Sequence, residues 1–228
     1  IDPAEIGKNK LIDIPIVGDL KHVLNEINHE LTPQTHESWL ERIREWREEY
    51  PIRVRPHEGN SLLPQKVIQE IDNIVKGNAI VVTDVGQHQM WTSQFITFSK
   101  PNTIITSGGA GTMGFGLPAA IGAQVAQPDK KVVLITGDGG LQMNSQELLL
   151  LKAYNIPVKV VIINNGFLGM VRQWQELFNQ RRYSFVDLEV NPDFETLAKA
   201  YGVQGVTLST IEDLRSQLRD LILSDEPV

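Results

Sequence analysis

The chain contains no cysteine. This absence excludes disulfide scaffolds, zinc–thiolate sites and thiol nucleophiles. A cysteine-free chain is compatible with the cytosol, although composition of this kind does not establish the compartment. Whatever the protein binds or converts, a cysteine sulfur takes no part in it.

Long apolar runs and an excess of positive charge are also missing. The longest apolar runs, such as residues 158–163, are far too short to span a bilayer. The formal net charge is -7, and this acidic balance argues against a protein that binds the backbone of a nucleic acid. We therefore expect no membrane partner and no nucleic-acid partner. A phosphorylated ligand stays possible, because backbone amides and a metal ion can hold phosphate without a basic surface.

The composition that remains is that of a folded protein. Hydrophobic residues make up 41% and charged residues 21% of the chain, which favours a globular over a disordered chain. A length of 228 residues allows one sizeable core and part of a second unit. Neither a secretory signal nor a natural start residue opens the sequence. We therefore expect an internal fragment of a longer protein.

The beginning of the chain differs in pattern from the rest. Residues 1–19 carry turn residues and short apolar pieces that are typical of the end of an α/β unit. Residues 20–31 have helical apolar spacing, and residues 35–50 predict a charged amphipathic helix. Pro51 and Pro56 then interrupt the pattern, and a domain boundary is expected here.

Three segments follow from this boundary. Residues 1–32 are interpreted as the tail of one domain, residues 33–59 as a linker with a helix, and residues 60–228 as the main domain. The sequence stops just after a predicted helix, where an α/β domain normally adds a strand. We therefore expect a further strand and a tail beyond this end.

Apolar strands alternate with helices in the main domain. Runs of strand length are found at residues 79–83, 103–106, 131–136 and 158–163. Helical patterns are found at residues 63–75, 117–125, 145–154, 170–178, 193–201 and 211–223. This alternation predicts an α/β fold with a mostly parallel sheet and helices on both faces. In such sheets, ligands bind beyond the carboxyl ends of the strands.

Polar clusters rich in glycine follow two of the predicted strands. Residues 137–140 read Gly-Asp-Gly-Gly, and residues 164–166 read Asn-Asn-Gly. If the two strands are parallel neighbours, the clusters come together. The Asp138 carboxylate and the Asn165 amide oxygen then suit a Mg²⁺ ion that bridges phosphates, and the Phe167 carbonyl can complete the protein ligands. Asp-Gly and Asn-Gly are also ordinary turn dipeptides, and for either cluster alone a turn is the favoured interpretation.

The spacing of the two clusters resembles the signature of thiamine-diphosphate enzymes. Gly-Asp-Gly at residues 137–139 is followed, after 24 intervening residues, by Asn-Asn at residues 164–165. In that family the Asp and the second Asn hold the Mg²⁺ ion that clamps the diphosphate. The intervening segment reads as a helix and a strand, as the signature requires. Residues 144–147 predict a capping box for that helix, so Glu147 is interpreted as structural rather than catalytic.

Three further segments resemble the acetohydroxyacid synthases, also called acetolactate synthases. Residues 85–91 are similar to the family's diphosphate-contacting stretch, residues 107–118 to its glycine-rich cofactor loop, and residues 169–175 to the helix that lines its substrate channel. The resemblance implies that the Gly111 carbonyl accepts a hydrogen bond from the cofactor's aminopyrimidine. It also implies that Met113 wedges beneath the cofactor and holds it in a bent shape.

The resemblance covers nearly the whole chain and implies a thiamine-diphosphate-binding fold with a defined set of site residues. The implied cofactor-binding residues are Val85, Gly86, Gln87, His88, Gly111, Met113, Asp138, Gly139, Gly140, Asn165, Phe167, Leu168, Gly169, Met170 and Val171. Met170, Val171 and Trp174 are implied to line the substrate channel, and Asp138, Asn165 and Phe167 to hold the metal. Without the resemblance, His88 is a loop residue, Met113 a core residue and Trp174 a packed helix aromatic.

The resemblance also implies an activity. The family decarboxylates pyruvate and joins the product to a second 2-ketoacid, either pyruvate or 2-ketobutyrate, in branched-chain amino-acid biosynthesis. It uses thiamine diphosphate, Mg²⁺ and a structural FAD, and residues 1–10 resemble the end of its FAD-associated middle domain. The activating Glu comes from an N-terminal domain of a second subunit. No catalytic residue is therefore expected in this chain, and the fragment is expected to be inactive alone.

Partners and compartment follow from the same resemblance. We expect small 2-ketoacid substrates, a homodimer or higher oligomer, and a small regulatory subunit. The family acts in the cytoplasm of bacteria and in the plastid or mitochondrion of eukaryotes.

Four alternative interpretations compete with this one. Pyruvate oxidase and glyoxylate carboligase are related enzymes, but the Met170, Val171 and Trp174 run argues against them. A nicotinamide-binding domain needs its glycines in the first strand–helix turn, whereas residues 109–114 lie in mid-domain. Intact Asp138 and Asn165 argue against a non-catalytic module. A zinc site is not expected, because the histidines spaced by seven residues, His22, His29 and His36, are interrupted by proline and best interpreted as exposed.

Overall fold

The computed structural model describes residues 2–54 and 62–228. The chain divides in sequence, between Arg53 and Val54, into two compact units. The expectations for Ile1, Pro56 and the start of the main domain at residue 60 lie outside the described residues. Throughout the described ranges, none of the helices combines the length and the apolar character that crossing a membrane requires.

The first unit contains two surface helices. A short 3₁₀ helix, Pro3–Glu5, precedes α1 at Leu20–Glu30 and α2 at Glu37–Glu49. The Asp19 carboxylate caps α1 by accepting a hydrogen bond from the His22 amide at 3.1 Å. Neither helix buries a residue, and the three evenly spaced histidines are exposed, as expected. The two helices predicted for this part of the chain are thus confirmed, with ends that differ by one or two residues.

The second unit alternates strands and helices. The four strands are β1 at Ala79–Thr83, β2 at Ile104–Ile105, β3 at Lys131–Gly137 and β4 at Lys159–Ile163. The helices are α3 at Pro64–Val75, α4 at Gln87–Phe95, α5 at Gly116–Ala126, α6 at Asp138–Met143, α7 at Leu148–Ala153, α8 at Gly169–Phe178, α9 at Phe194–Ala200 and α10 at Ile211–Leu223. A 3₁₀ turn, Ser145–Glu147, joins α6 to α7.

The four strands form one parallel sheet in the order β2-β1-β3-β4. The register pairs Val82 with Leu134, and Leu134 with Val160. Because β3 lies between β1 and β4, the loops that follow these three strands meet at one edge of the sheet. The predicted fold class, a parallel sheet with helices on both faces, is confirmed.

Side chains alternate between the two faces of the sheet and build two cores. Ile80, Val82 and Leu134 point into a core shared with α5, α6 and α7. Val81 and Ile135 point into the opposite core, which α3, α4 and α10 cover. Successive strand residues face opposite sides, so apolar residues at consecutive positions are needed to fill both layers. This requirement explains why β1 is apolar along its length and buried at every position.

The free side of β4 differs from the rest of the sheet. The Val160 amide donates to the Val228 carbonyl at 2.7 Å, and the Val228 amide donates to the Val158 carbonyl at 3.4 Å. Beyond this pairing, a cavity of about 880 Å³ lies between β4, α9 and α10. Lys159, a charged residue of β4, is only 1% exposed. Its ammonium group donates to the Ser224 hydroxyl at 2.9 Å and to the Glu226 carbonyl.

Two local predictions were wrong. The segment after β1 was interpreted as a loop, but residues from Gln87 form α4. The capping box expected at residues 144–147 is absent, because the Asn144 side-chain amide donates to the Gly114 carbonyl at 2.8 Å and the next three residues form a 3₁₀ turn. Thr210 and Asp213 form a capping box instead, at the start of α10.

Candidate cofactor site

Three helices begin at the carboxyl edge of the sheet. β1 leads into α4, β3 leads directly into α6, and β4 leads into α8. The first turn of a helix leaves backbone N–H groups without intrahelical partners and carries partial positive charge. Three such helix starts, following neighbouring strands, make this edge suited to an anionic ligand.

Asp138 is the most constrained of the predicted metal ligands. It opens α6 and is 2% exposed. One carboxylate oxygen accepts from the Gly139 amide at 3.0 Å. The other accepts from the Gly166 amide at 2.9 Å and from the Asn191 side chain at 2.7 Å. The carboxylate therefore joins the end of β3 to the loop after β4, as the strand order predicts.

The loop after β4 is held in an extended conformation. Phe167 pairs with Asp187 in an antiparallel bridge, and the Leu168 amide donates to the Val186 carbonyl at 2.8 Å. The Arg172 guanidinium lies 4.6 Å from the centre of the Phe167 ring, a cation–π contact. The Asn165 side-chain oxygen accepts from the Phe167 amide at 3.1 Å. These contacts fix the segment that carries two of the predicted metal ligands.

His88 lies within the first turn of α4 and is 5% exposed. Its Nε2 atom is buried and has no hydrogen-bond partner within the described chain. Burial lowers the pKa of the imidazole, while the nearby Asp84 and Asp138 carboxylates oppose this shift. A buried polar atom without a partner is costly, so His88 is a candidate for a bond to a ligand.

The glycine-rich loop of residues 107–115 folds over this edge. Its first part is closed by the Gly111 amide, which donates to the Ser107 carbonyl at 3.2 Å. Met113 reaches across to Gly139, where an added Cβ would lie 3.5 Å from the methionine methyl group. Gly114 has φ of +86°, and a Cβ there would lie 2.7 Å from Met143. The loop thus needs glycine at this position for both conformation and space.

Two further predicted glycines, Gly139 and Gly169, lie close to side chains of neighbouring segments. A Cβ at Gly139 would lie 2.9 Å from the Leu168 side chain. A Cβ at Gly169 would collide with the Gln87 side-chain oxygen and lie 3.0 Å from the Asn165 side chain. The first turns of α6 and α8 therefore pack closely against the β4 loop and α4, and a side chain at either glycine would require Leu168 or Gln87 to shift.

Three residues of this edge were missed by sequence analysis. Asp84 follows β1, is 1% exposed, and accepts hydrogen bonds from the amides of the glycine-rich loop. Asn191 donates to Asp138 and to the Asn164 side-chain oxygen, and Gln173 accepts from Gln87 at 2.7 Å. A carboxylate directly after a buried strand is the signal that identified Asp138, and it applies equally to Asp84. No local signal marks Asn191, which lies in an Asn-Pro-Asp turn far along the chain.

The predicted channel residues lie on an open surface of α8. Val171 is 48% exposed and Trp174 is 57% exposed, while Met170 is partly buried in the first turn. The Trp174 ring stacks at a tilt on Phe178, with 5.0 Å between ring centres. Trp174 is therefore exposed in the described part of the chain, apart from its contact with Phe178 in the same helix.

The donor set at this edge fits a hard cation that carries a phosphate ligand. One carboxylate, one amide oxygen and a backbone carbonyl are the ligand types that Mg²⁺ uses when it also binds phosphates. Across the described ranges no group of three or more His, Cys, Asp or Glu side chains could hold a metal ion. The unpartnered His88 nitrogen and the tight glycine positions fit a diphosphate that approaches the backbone closely.

Comparison with known proteins agrees with this geometry. Residues 84–228 match the family model described as "Thiamine pyrophosphate enzyme, C-terminal TPP binding domain". This range begins at Asp84 and includes every residue of the site built above. Among solved structures, the thiamine diphosphate-dependent 4-hydroxybenzoylformate decarboxylase of Rhodococcus jostii superposes with a TM-score of 0.69 and 29% identity, covering 77% of this chain and 33% of that one.

Curated relatives extend the likeness to the whole chain. The acetolactate synthase large subunit of Lactococcus lactis is 46% identical over 229 residues, covering 100% of this chain and 40% of the relative. That of Parasynechococcus marenigrum is 48% identical, covering 100% of this chain and 37% of the relative. The chain thus spans about two fifths of the length of these relatives, and the resemblance inferred from its motifs is confirmed. The chain belongs to the thiamine pyrophosphate enzyme family, within which residues 84–228 are the C-terminal cofactor-binding domain.

Proposed function

We propose that the chain is the thiamine-diphosphate- and Mg²⁺-binding part of an acetolactate synthase large subunit. The observation that carries the proposal is the junction at Asp138, whose carboxylate ties the end of β3 to the loop after β4 at 2.9 Å. The full-length likeness to acetolactate synthase large subunits supports this enzyme over other members of the family.

In this proposal Asp138, the Asn165 amide oxygen and the Phe167 carbonyl hold Mg²⁺. The Gly166 amide and the Asn191 side chain orient the Asp138 carboxylate. Such outer partners keep a ligating carboxylate in place and tune its affinity for the metal. The metal in turn would neutralise part of the negative charge of the diphosphate, which would lie at the same edge as the Asp84 and Asp138 carboxylates.

The diphosphate would lie over the starts of α4, α6 and α8. His88 would donate a hydrogen bond from its unpartnered Nε2 atom, with Gln87 and the backbone of Gly139 and Gly140 as further contacts. A neutral imidazole can donate from Nε2 when that atom carries the proton.

Thiamine diphosphate, when bound, supplies the carbanion chemistry that breaks and forms carbon–carbon bonds. The chain's part is to bind and orient. The Gly111 carbonyl would accept a hydrogen bond from the aminopyrimidine, and Met113 would support the bent cofactor from below. Met170, Val171 and Trp174 would shape the approach for pyruvate and for the second 2-ketoacid, pyruvate or 2-ketobutyrate. Holding reactants in a defined geometry is the contribution expected of such residues.

The remaining parts of the proposal concern the whole protein. Residues 1–32 would close a middle domain that holds a structural FAD, residues 33–59 would link the domains, and the activating Glu would come from an N-terminal domain of a second subunit. The enzyme would then be a homodimer or larger, with a small regulatory subunit. It would act in the bacterial cytoplasm, or in a plastid or mitochondrion, in branched-chain amino-acid synthesis.

Calorimetric titration tests the cofactor site. Thiamine diphosphate is titrated into the natural full-length protein and into the 228-residue chain, each with Mg²⁺ and with EDTA. We expect Mg²⁺-dependent binding that is lost in Asp138→Ala and retained in the control Asp129→Ala, whose side chain is exposed. Binding that ignores EDTA, or survives in Asp138→Ala, contradicts the metal assignment.

Product analysis tests the reaction. With pyruvate, the full-length protein is expected to form acetolactate, and the isolated chain is expected to form none. Acetolactate from the isolated chain contradicts the assignment of the activating Glu to another domain. Carbon dioxide release without acetolactate would instead favour a decarboxylase, and oxygen consumption would favour a pyruvate oxidase.

A further inference from the structure

We propose that Asp84 is a positioning residue that holds the glycine-rich loop of residues 107–115 in its cofactor-binding shape. The inference rests on the proposed function of the same edge. Asp84 lies directly after β1, outside the residues to which a cofactor contact was assigned. Its side chain is almost fully buried, and its bonds reach the loop from beneath.

The Asp84 carboxylate accepts hydrogen bonds from three backbone amides. The Gly114 amide lies 3.1 Å from both oxygens, and the Gly116 amide lies 2.8 Å from Oδ2. The Val85 amide lies 2.8 Å from Oδ1. Two of these donors belong to the end of the loop and the start of α5, about 30 residues along the chain. The carboxylate thus ties the loop to the sheet.

Few other contacts tie this part of the loop down. The Asn144 side chain donates to the Gly114 carbonyl at 2.8 Å. The hydrogen bonds at the loop's beginning are internal and run from the amides of Gly111 and Thr112 to Ser107. Asp84 therefore provides two of the three side-chain-to-backbone links between residues 114–116 and the rest of the domain that the described residues show.

A carboxylate suits this position better than an amide of the same size. All three neighbours are N–H donors, and an ionised carboxylate only accepts, whereas an Asn side chain presents its own N–H₂ to at least one donor. Hydrogen bonds from backbone amides to a carboxylate are stronger than those between neutral groups. These hydrogen bonds also offset the cost of burying the charge. No Lys or Arg in the described ranges forms an ion pair with Asp84 that could do so instead.

Neighbouring glycines show that the space around this carboxylate is fully used. A Cβ at Gly116 would lie 2.9 Å from Asp84 Oδ2, and a Cβ at Gly140 would lie 2.7 Å from Oδ1. The carboxylate thus contacts the loop on one side and the first turn of α6 on the other. Through these contacts Asp84 sets how far the loop, with Met113 above Gly139, stands from Asp138.

The test separates the loop from the metal end of the site. In the natural full-length protein, Asp84→Asn is compared with wild type for binding of thiamine diphosphate and of inorganic diphosphate, both with Mg²⁺. The second probe lacks the part of the cofactor that the loop would touch. We expect thiamine diphosphate to bind on the order of ten- to hundredfold more weakly, as for other residues that orient a binding group, and inorganic diphosphate to bind as in wild type.

Hydrogen exchange measured by mass spectrometry gives a second readout that does not depend on activity. In Asp84→Asn, residues 110–117 are expected to exchange at least about tenfold faster, because Gly114 and Gly116 lose their acceptor, while β3 stays protected. The matched control is Asp72→Asn, which also removes a carboxylate that holds a backbone amide, that of Thr97 at 2.9 Å. The control should leave both binding and exchange of the loop unchanged.

Each outcome decides the matter. Unchanged thiamine diphosphate binding and unchanged loop exchange would overturn the role of Asp84, as would an equal loss of both ligands. Failure of wild type to bind either ligand would overturn the proposed cofactor site and this inference with it. If Asp84→Asn exposes β3 to exchange, Asp84→Ser replaces it, because a hydroxyl fits the space and keeps one acceptor; the same pattern of losses is expected.

Discussion

The two ends of the parallel strands carry charged side chains of opposite sign. At the carboxyl end, Asp84 and Asp138 accept hydrogen bonds from backbone amides near the starts of helices. At the amino end, Lys131 donates to the carbonyl oxygens of Leu223 and Ser224, the last residues of α10 and its cap, and Lys159 donates to Ser224. Each charge faces the helix end of opposite polarity.

The two ends of the strands differ in whether their charged and polar groups have partners within the described residues. At the amino end, the lysines also reach Asp225 and the Glu226 carbonyl, and the contacts bring Val228 alongside β4. At the carboxyl end, no cation in the described residues pairs with the two carboxylates, and the His88 Nε2 atom lacks a partner. The charged groups at the amino end are thus paired within the chain, whereas Asp84, Asp138 and His88 Nε2 at the carboxyl end have no charged partner there.

Loss of the Asp138 carboxylate should have the largest effect. Asp138→Asn is expected to weaken Mg²⁺-dependent thiamine diphosphate binding by more than about 100-fold, because removing a metal ligand costs more than removing its outer partner. Calorimetry measures the affinity, and Lys159→Met is the control from the other end, expected to bind as wild type. A loss of binding in the lysine variant would break the division between the two ends.

Loss of the Asn191 side chain should have a smaller effect at the same end. Asn191 donates to Asp138 at 2.7 Å and accepts from Gln142 at 3.0 Å. Asn191→Ala should weaken Mg²⁺ affinity by about ten- to hundredfold, since the Asp138 carboxylate loses an orienting donor. Titration of Mg²⁺ at saturating thiamine diphosphate measures this change. The exposed Asn179→Ala is the control, and equal losses in both would refute the orienting role.

Lys159, at the amino end of the strands, should make the free energy of unfolding depend on pH. Burial and the nearby Lys131 lower the pKa of Lys159 to about 8 from its ordinary 10.5. Between these values the unfolded chain holds the proton and the folded chain does not, so the free energy of unfolding rises with pH. We expect a gain of about 1–2 kcal/mol across this window relative to Lys159→Met. Urea denaturation between about pH 8 and pH 10.5, the window set by these two pKa values, measures it; parallel curves would contradict a buried, shifted ammonium group.

The capping box of α10 should give the smallest effect. The Thr210 hydroxyl accepts from the Asp213 amide at 3.1 Å, and the Asp213 carboxylate accepts from the Thr210 amide at 3.0 Å. Thr210→Ala should lower the free energy of unfolding by about 1 kcal/mol. Thermal unfolding measures the change, with Thr207→Ala as a control on the preceding loop. Cofactor affinity should not move, because α10 contacts neither Asp138 nor the glycine-rich loop by any hydrogen bond in the described chain.

Sequence analysis found most of the fold because the strands and amphipathic helices are apolar in their own right. It missed α4, which buries His88 and Thr92 and packs Trp91 and Phe95 against the core. Two apolar residues spaced by four are too few to mark a helix. This error falls at the candidate cofactor edge, where local sequence rules are expected to fail.

The site was predicted to the extent that it follows strand ends. Asp138 and Asn165 were found because each comes directly after an apolar run, and parallel neighbours bring such ends together. Asp84 has the same position after β1. It was overlooked because the interpretation of this segment rested on His88 and not on the Asp84 carboxylate. The false capping box at residues 144–147 shows the opposite error, since the Asn144 side chain is engaged by Gly114.

Local patterns set where most strands and helices lie, the consecutive apolar residues of β1 and β3, and the polar residues that follow these strands, because each depends on neighbours within a few positions of the chain. The partners of those polar residues could not be read in the same way. Asn191 reaches Asp138 across 53 positions, and Gly116 reaches Asp84 across 32. Such bonds exist only once the sheet has brought distant segments together, and burial in that packed edge is what makes them strong.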